Sequence, residues 1–339
     1  MTLFCDLRRL GSGALLPVLV SAALLAACGG GTEQVKSFKP SRLIVFGDES
    51  SMIDDAVDAT GVHDGFKYGI NNRSASTSNK CLALPSFAQN LASLYGFAFE
   101  QCNPTKITPQ AFIRARRLAK VDDPATGLAQ QVASEPGLGA TDMVSVLIGS
   151  HDIIEIYEST LAGVGRPAAL AEAQRRGGVA AAQVNAILKT GARALVITVP
   201  DLASSPYAVQ ANKTQAGAST LLAELTYEFN AYLRTRIDPA AYDGRNYGLV
   251  LADDIVAAMA RQPTSYLSPP AVTSVAACGT AAGGTADAVA TALLACTTTN
   301  LVPGAVAESH LWASDRHLGP RAHARIGAQA TSWAVNNPF

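Results

Sequence analysis

Short apolar runs recur along the chain, each bounded by glycine or polar residues, and they predict buried β-strands. The runs span residues 43–46, 143–148, 194–199 and 248–252. The first run, 43–46, is continuously apolar and β-branched in its middle, which is typical of a parallel strand that is covered on both faces. The segments between them are rich in Ala, Leu and Gln and have the apolar spacing of amphipathic helices, clearest at 85–95, 168–190 and 220–236.

This alternation of strands and helices predicts right-handed βαβ units, and therefore an α/β fold. We expect a three-layer α/β/α sandwich around a mainly parallel sheet. Two stretches interrupt the alternation: 54–80 is polar and loop-like, and 265–299 is rich in Ala, Gly and Thr. Long excursions of this kind usually cover or shape a binding cleft, although 276–299 is equally compatible with a surface loop held by a disulfide.

The N-terminus has the pattern of a targeting segment. Arg8 and Arg9 precede an apolar run over 14–27, which is short for a membrane span and ends at Cys28. This order of charge, apolar run and small residues resembles a bacterial lipoprotein signal, in which the cysteine carries the lipid; an ordinary cleaved secretory peptide is the alternative. We therefore expect a signal peptide with a lipobox over 1–28, a flexible tether over 29–41 and a single domain over 42–339.

A lipid on Cys28 would hold the protein at a membrane without spanning it. The residue after it is Gly29 and not a retention aspartate. By resemblance to other lipoproteins, this implies the outer membrane of a bacterial cell envelope as the location.

The remaining cysteines form an even set once Cys5 is removed with the signal and Cys28 is lipidated. In an oxidising compartment, such a set predicts two disulfides. We favour pairing between sequence neighbours among the three possible connectivities, since it closes two modest loops. A metal site is the alternative, but no close Cys-x-x-Cys or Cys-His spacing supports it. The preferred pairs are Cys81 with Cys102 and Cys278 with Cys296.

Charge argues against one class of partner. The formal net charge is −1, and the basic residues are dispersed except for Arg114, Arg116 and Arg117. Binding a polyanion usually needs a clustered basic face, so we do not expect a nucleic-acid partner. We also expect no cofactor, and a monomer.

Polar side chains follow directly after the first predicted strand. Gly47 lets the backbone turn sharply, and Asp48, Glu49 and Ser50 come next. In an open α/β sheet, ligands bind just beyond the carboxyl ends of the strands. These residues are therefore candidate site residues, with an ordinary polar strand-to-helix turn as the alternative.

The segment Phe46-Gly47-Asp48 resembles the opening of the first motif of the SGNH hydrolases, the GDSL-type esterases and lipases, especially their secreted and autotransporter-type members. In that family a nucleophilic serine comes next, where this chain has Glu49. Further similar stretches at 67–71, 199–202 and 229–233 extend the resemblance over nearly all of the mature chain. The resemblance implies the same three-layer fold and an ester-hydrolysis class of site.

The family's closing motif resembles the segment 312–320. A serine is a weak nucleophile until a base accepts its proton, and the base needs a partner that fixes its tautomer. His317 matches the position of the base. The family's aspartate stands three residues before the histidine; here that position is Ser314, and Asp315 lies one residue nearer.

The middle motifs are also similar but altered. The strand that ends at Gly149 is followed by His151 and Asp152, where the family has an asparagine and an aspartate. The resemblance assigns the asparagine to binding the oxyanion, and an imidazole N–H can also donate such a bond. The second motif corresponds to 111–117, which contains no glycine for the oxyanion hole.

These substitutions favour a protein that keeps the fold and the cleft but binds a small-molecule or acylated envelope ligand with weak or no catalysis. Under this hypothesis Asp48, Glu49, His151 and His317 line the cleft. A structural alternative for Glu49 and His151 is a mutual salt bridge that fills a former active site.

Two alternatives remain from the sequence. In an active esterase, Ser50 would serve as a shifted nucleophile, with His317 as base and Asp315 orienting it. In a metal site, two carboxylates and two imidazoles would form a reasonable ligand set for zinc or manganese. The ligands of that site would be Asp48, Glu49, His151 and His317.

Overall fold

Five parallel strands form the central sheet, in the order β2-β1-β3-β4-β5. The computed structural model describes residues 38–74, 80–241 and 245–336. The four predicted strands are confirmed, and the three-residue strand β2 was not predicted because its apolar run is too short to stand out. The strands are β1 (Arg42–Gly47), β2 (Ala111–Ile113), β3 (Asp142–Leu147), β4 (Arg193–Ile197) and β5 (Tyr247–Val250).

Helices cover both faces of this sheet, which confirms the predicted α/β/α sandwich. Helices α1, α7 and α9 pack together on one face, and α3, α4 and α6 pack together on the other. The apolar run 43–46 in β1 is fully buried between the two layers, as expected for a strand covered on both faces. The helices are α1 (Phe87–Leu94), α2 (Leu128–Ala133), α3 (Ser150–Leu161), α4 (Arg166–Lys189), α5 (Pro206–Thr214), α6 (Ala218–Thr235), α7 (Ala252–Arg261), α8 (Ala286–Leu294) and α9 (Pro320–Asn336).

The strand order creates a crevice between the carboxyl ends of β1 and β3. The chain leaves β1 toward β2 on one side and leaves β3 toward β4 on the other, and such a switch point is where open α/β sheets bind ligands. A glycine stands at the carboxyl end of each of these two strands, where neighbouring atoms leave no room for a side chain. A Cβ on Gly47 (φ +142°) would lie 2.0 Å from the carbonyl oxygen of Leu147, and one on Gly149 (φ +128°) would lie 2.6 Å from Phe229.

The Ala/Gly/Thr-rich excursion is a folded part of the domain rather than only a surface loop. It contains β6 (Val272–Ala276), which pairs in parallel with β7 (His310–Trp312), and helix α8. Its buried side chains form a second apolar cluster with Tyr68 and Ile70 from the polar excursion. Both predicted disulfides are confirmed: Cys278–Cys296 lies in this cluster, and Cys81–Cys102 lies beside α1.

The predicted signal peptide, the lipidation residue Cys28 and most of the predicted tether lie outside the described residues. The end of that tether already belongs to the fold. The Arg193 guanidinium lies 4.0 Å from the centre of the Phe38 ring, and the Ser41 N–H donates to the Thr141 carbonyl at 2.8 Å. Among the described helices, none is both long and apolar enough to cross a bilayer.

Candidate functional site

Glu49 is the centre of the site at the end of β1. It starts a single 3-10 turn, Glu49–Ser51, and its side chain is 0% exposed. Asp48 caps this turn, since its Oδ1 accepts the Ser50 N–H at 2.9 Å. The other Asp48 oxygen, Oδ2, is buried and has no hydrogen-bond partner among the described residues. The turn therefore directs a carboxylate into the protein where the resemblance places a serine.

Three groups converge on the Glu49 carboxylate. Its Oε1 lies 2.7 Å from Nε2 of His151, in the first turn of α3, and 2.8 Å from Nε2 of His317, in the loop between β7 and α9. Its Oε2 accepts the backbone N–H of Leu118 at 2.8 Å. The structure thus brings together Glu49, His151 and His317, which the sequence analysis placed at one site, and puts Glu49 in contact with His151.

Leu118 is a site residue that the sequence did not reveal. Its φ of +58° lies in the left-handed region, which glycine adopts freely and leucine rarely does. No glycine is present in the expected stretch, yet a backbone N–H in a glycine-type conformation is supplied one residue beyond it. A leucine carries no signal for a left-handed turn, so the sequence could not single out this position.

Ser314 determines which nitrogen of His317 carries the proton. Its Oγ accepts the backbone N–H of Arg316 at 3.1 Å and that of His317 at 2.9 Å, and lies 2.8 Å from Nδ1 of His317. Two accepted hydrogen bonds occupy the lone pairs of the hydroxyl oxygen, so its own proton is donated to Nδ1. The proton of the neutral imidazole is therefore on Nε2, where it is donated to Glu49.

This direction of hydrogen bonding is the reverse of the one that serine hydrolysis needs. In a catalytic triad, an aspartate accepts from Nδ1–H and leaves Nε2 free to take the serine proton. Here the chain runs from the Ser314 hydroxyl to Nδ1, and from Nε2–H to Glu49 Oε1. His317 is a hydrogen-bond donor at the nitrogen that would have to act as the base.

The structure does not bring Ser50, His317 and Asp315 together as a triad. Asp315 is paired with its neighbour Arg316, whose Nε and Nη2 lie 2.8 and 2.9 Å from the two carboxylate oxygens. Both ring nitrogens of His317 are already engaged by Ser314 and Glu49, so none is left for Ser50. The partner of Nδ1 is therefore Ser314, and the predicted orienting role of Asp315 is wrong.

Electrostatics favour an ionised pair within the cluster formed by Glu49, His151 and His317. Burial alone would raise the pKa of Glu49, but the charge and hydrogen bonds of His151 and His317 hold that pKa well below its usual range. Burial would lower the pKa of His151, yet the adjacent Glu49 carboxylate raises it. Burial, reinforced by the charge of Glu49, raises the pKa of Asp48 to about 6. Both shifts favour the charged forms, a carboxylate at Glu49 and an imidazolium at His151.

Gly149 and Asp152, the other two residues predicted to line the cleft, support the packing of α3. Gly149 precedes α3 and leaves room for Phe229. The Asp152 carboxylate accepts from the Val121 N–H at 3.2 Å and pairs with Arg176 at 3.1 Å. Neither side of this network contacts Glu49, so Asp152 anchors α3 rather than the cluster.

The cluster has the ligand atoms of a metal site, but its hydrogen bonds run in the wrong direction for metal binding. One donor atom each from Glu49, His151 and His317 lies within 4.8 Å of the others, and Asp48 is not part of this group. Ligands at about 2.0–2.1 Å from a tetrahedral zinc lie about 3.3 Å apart, whereas the two oxygen–nitrogen contacts are 2.7 and 2.8 Å. A metal on Nε2 of His317 would also require an acceptor at Nδ1–H, and Ser314 is a donor there. The geometry fits hydrogen bonding better than metal ligation.

An open cavity of about 630 Å³ shares the loop that carries His317, although Glu49, His151 and His317 do not themselves line it. Asp315 and Arg316, the two residues between Ser314 and His317, form part of its wall. Tyr207 of α5 lies under Arg316, with 5.0 Å between the guanidinium and the ring centre. The sequence indicates this cavity only indirectly. The excursion 265–299, which was expected to shape a cleft, contributes β6 to the wall, whereas the wall residues on α3 and α5 lie outside the motifs. The rest of the wall includes the apolar side chains Leu161, Pro206, Val209 and Val275.

Comparison of the chain with models of protein families and with curated proteins finds no match.

Proposed function

We propose that the protein is a ligand-binding, non-hydrolysing relative of the SGNH ester hydrolases, held at the bacterial outer membrane by a lipid on Cys28. The observation that carries the proposal is the reversed hydrogen-bond chain from Ser314 through His317 to Glu49. A histidine whose Nε2 already carries a proton cannot accept one from a nucleophile. The fold and the cleft are retained without the proton acceptor.

The Glu49 carboxylate replaces the nucleophile and binds the groups that serine hydrolysis would need to have free. Glu49 stands in the position of the nucleophile and accepts the proton of His317. It also binds the His151 imidazole, which stands at an oxyanion-donor position by resemblance, and the Leu118 N–H, which lies one residue beyond the stretch that corresponds to the second motif. An oxyanion hole acts only if its donors are free to bind the developing negative charge. In this site they are already bound to a permanent negative charge.

The open cavity lined by Asp315 and Arg316 supports ligand binding. Its volume of about 630 Å³ falls within the range of small-molecule sites, which are mostly apolar with a few polar groups that fix the orientation. Here the apolar wall is completed by Arg316 and by Tyr207. This combination suits a small molecule or the acyl part of an envelope component.

Purified protein is expected to hydrolyse p-nitrophenyl acetate and p-nitrophenyl decanoate no faster than its His317→Gln variant, because the wild-type histidine is not a base. It is expected to bind dodecanoate in calorimetry, and Val209→Trp, which fills the cavity, should weaken that binding at least about tenfold. The matched control is Val306→Trp, at an exposed valine outside the cavity wall. Hydrolysis that disappears in Ser50→Ala and His317→Gln would contradict the proposal, as would equal binding by the Val209 and Val306 variants.

A further inference from the structure

A second, smaller cavity has Ser50 of the first motif in its wall and shares no wall residue with the ligand cavity. It is about 10 Å³ in volume, which is room for about one water molecule. Its wall contains an ammonium, an imidazole and hydroxyl groups, and none of its residues is acidic. They are Ser50, Lys67, Tyr68, Gly69, Ile70, Leu84, Ser86, Leu318, Pro320 and His323.

Lys67 brings a buried positive charge to this cavity. It is 5% exposed, and its ammonium donates a hydrogen bond to the Cys81 carbonyl at 3.0 Å. Burial lowers the pKa of Lys67 to about 8, so the ammonium is still charged at neutral pH. An ammonium has three protons to donate, and a buried charge is costly unless it is paired. The carboxylate that acts on this ammonium, Asp64, is already paired with Arg73 at 2.8 Å, and the cavity wall itself supplies no negative partner for Lys67.

His323 provides an independent sign that something is bound there. It is 7% exposed, and its Nδ1 is buried without a hydrogen-bond partner among the described residues. The ring is held in place by parallel stacking on Phe87, with 6.1 Å between the ring centres. Burial lowers the pKa of His323 to about 4, so the ring is neutral at pH 7 and has one N–H to donate. Buried polar atoms of this kind are normally satisfied by a partner, an ion or a water.

Two helices begin at the same cavity. Ser86 is the N-cap of α1, and Pro320 is the first residue of α9. Helix N-termini carry a partial positive charge and favour anions. Both ends add to the positive potential from Lys67, and no carboxylate in the cavity wall offsets it.

We propose that this cavity, formed by Lys67, His323, Ser50 and Ser86 at the N-termini of α1 and α9, binds a monatomic anion of the chloride class. The size of the cavity excludes a carboxylate or phosphate group, and the charge of its wall selects an anion. Lys67 supplies the counter-charge, and the hydroxyl and imidazole groups supply further donors. The site does not depend on the proposed function, because none of its contacts involves Glu49 or the ligand cavity.

The test is thermal unfolding of the full chain at pH 7 in sodium chloride against sodium gluconate, at constant ionic strength. Anything that binds only the folded state stabilises it with increasing concentration. We expect chloride to raise Tm by about 2–4 °C once it exceeds its Kd about tenfold. Lys67→Met should remove this dependence, while Lys189→Met, at an exposed lysine that ends α4, should retain it.

A second variant and a direct measurement guard against misfolding of Lys67→Met. His323→Phe keeps a ring to stack on Phe87 and is expected to reduce the chloride dependence. Crystals of the wild-type protein soaked in bromide should show an anomalous peak within hydrogen-bonding reach of the Lys67 ammonium. Equal Tm values in chloride and gluconate, or a water without anomalous signal at this position, would overturn the proposal. The two proposals fail separately, because failure of dodecanoate to bind the larger cavity would not change the chloride dependence expected here.

Discussion

The double variant Glu49→Ser/Ser314→Asp is expected to hydrolyse p-nitrophenyl acetate about 10³-fold faster than Glu49→Ser alone. The single substitution supplies a hydroxyl but leaves Ser314 donating its proton to Nδ1 of His317. The imidazole then still carries its proton on Nε2, facing the new serine. An imidazole in the wrong tautomer loses about four orders of magnitude as a base in a serine protease, and the expected gain is a conservative share of that loss.

An aspartate at position 314 moves the proton of the His317 imidazole from Nε2 to Nδ1. Its carboxylate has no proton to donate, so it accepts from Nδ1–H and leaves Nε2 as the acceptor for the serine hydroxyl. The backbone N–H groups of Arg316 and His317, which now bind the Ser314 hydroxyl oxygen, would bind the carboxylate equally well. With Glu49 removed, the Leu118 N–H and the His151 imidazole become free to stabilise an oxyanion.

Initial rates for Glu49→Ser, Ser314→Asp, the double variant and Glu49→Ser/Ser314→Ala separate the contributions. Ser314→Asp alone is expected to be inactive, because Glu49 still fills the site. The alanine version controls for removal of the hydroxyl without supply of an acceptor. If Glu49→Ser alone were as active as the double variant, the position of the His317 proton would not be what blocks hydrolysis.

Glu49→Ala is expected to lower the free energy of unfolding by about 3–5 kcal/mol at pH 6. The substitution leaves a buried imidazolium at His151, the Nε2–H of His317 and the Leu118 N–H without their shared acceptor. Breaking a buried ion pair from one side costs far more than the pair contributes, since the remaining charge is uncompensated. Urea unfolding followed by circular dichroism measures the loss.

The pH dependence of this loss has a definite sign. The lowered pKa of Glu49 contributes stability that is complete above its ordinary value of 4.5 and is lost as pH falls through the lower folded value. The raised pKa of His151 contributes stability that is complete below 6.5 and is lost as pH rises through the higher folded value. The difference between wild type and Glu49→Ala should therefore be widest between about pH 4.5 and 6.5 and narrow at higher pH.

Two variants calibrate this measurement. Glu49→Gln keeps the volume but not the charge, and one of its amide donors must face an existing N–H, so it is expected to be destabilised as well. Glu100→Ala, at an exposed glutamate, should change stability by no more than about 0.5 kcal/mol. A loss in Glu49→Ala that matched the Glu100→Ala control would mean that the cluster does not stabilise the fold.

The main elements of the fold could be predicted because their signals are local. Each of the four longer strands is a mainly apolar segment. Each disulfide joins two cysteines that follow one another in the order of the chain's cysteines. Strand β2 has only three residues and is defined by pairing with β1, so no local pattern shows it. Helix α8 and strand β6 lie in a stretch of small residues whose apolar character becomes visible only when Tyr68 and Ile70 pack against it.

The site could be predicted only as far as residue type and motif position determine it. Glu49, His151 and His317 each follow a recognisable element, and the sheet brings them together. Whether Ser314 or Asp315 contacts the imidazole depends on the path of one tight loop. The direction of the hydrogen bond depends on two backbone N–H groups that reach the Ser314 hydroxyl. Neither feature has a counterpart in composition or spacing.

The most direct test of the account is a long-range proton–nitrogen NMR correlation spectrum of the His317 ring, assigned with a His317→Gln variant. We predict an unprotonated Nδ1 and a protonated Nε2 at neutral pH, because Ser314 donates to the first nitrogen and Glu49 accepts from the second. Ser314→Ala should weaken this preference. A protonated Nδ1 with an unprotonated Nε2 would mean that His317 is available as a base, and would contradict the account.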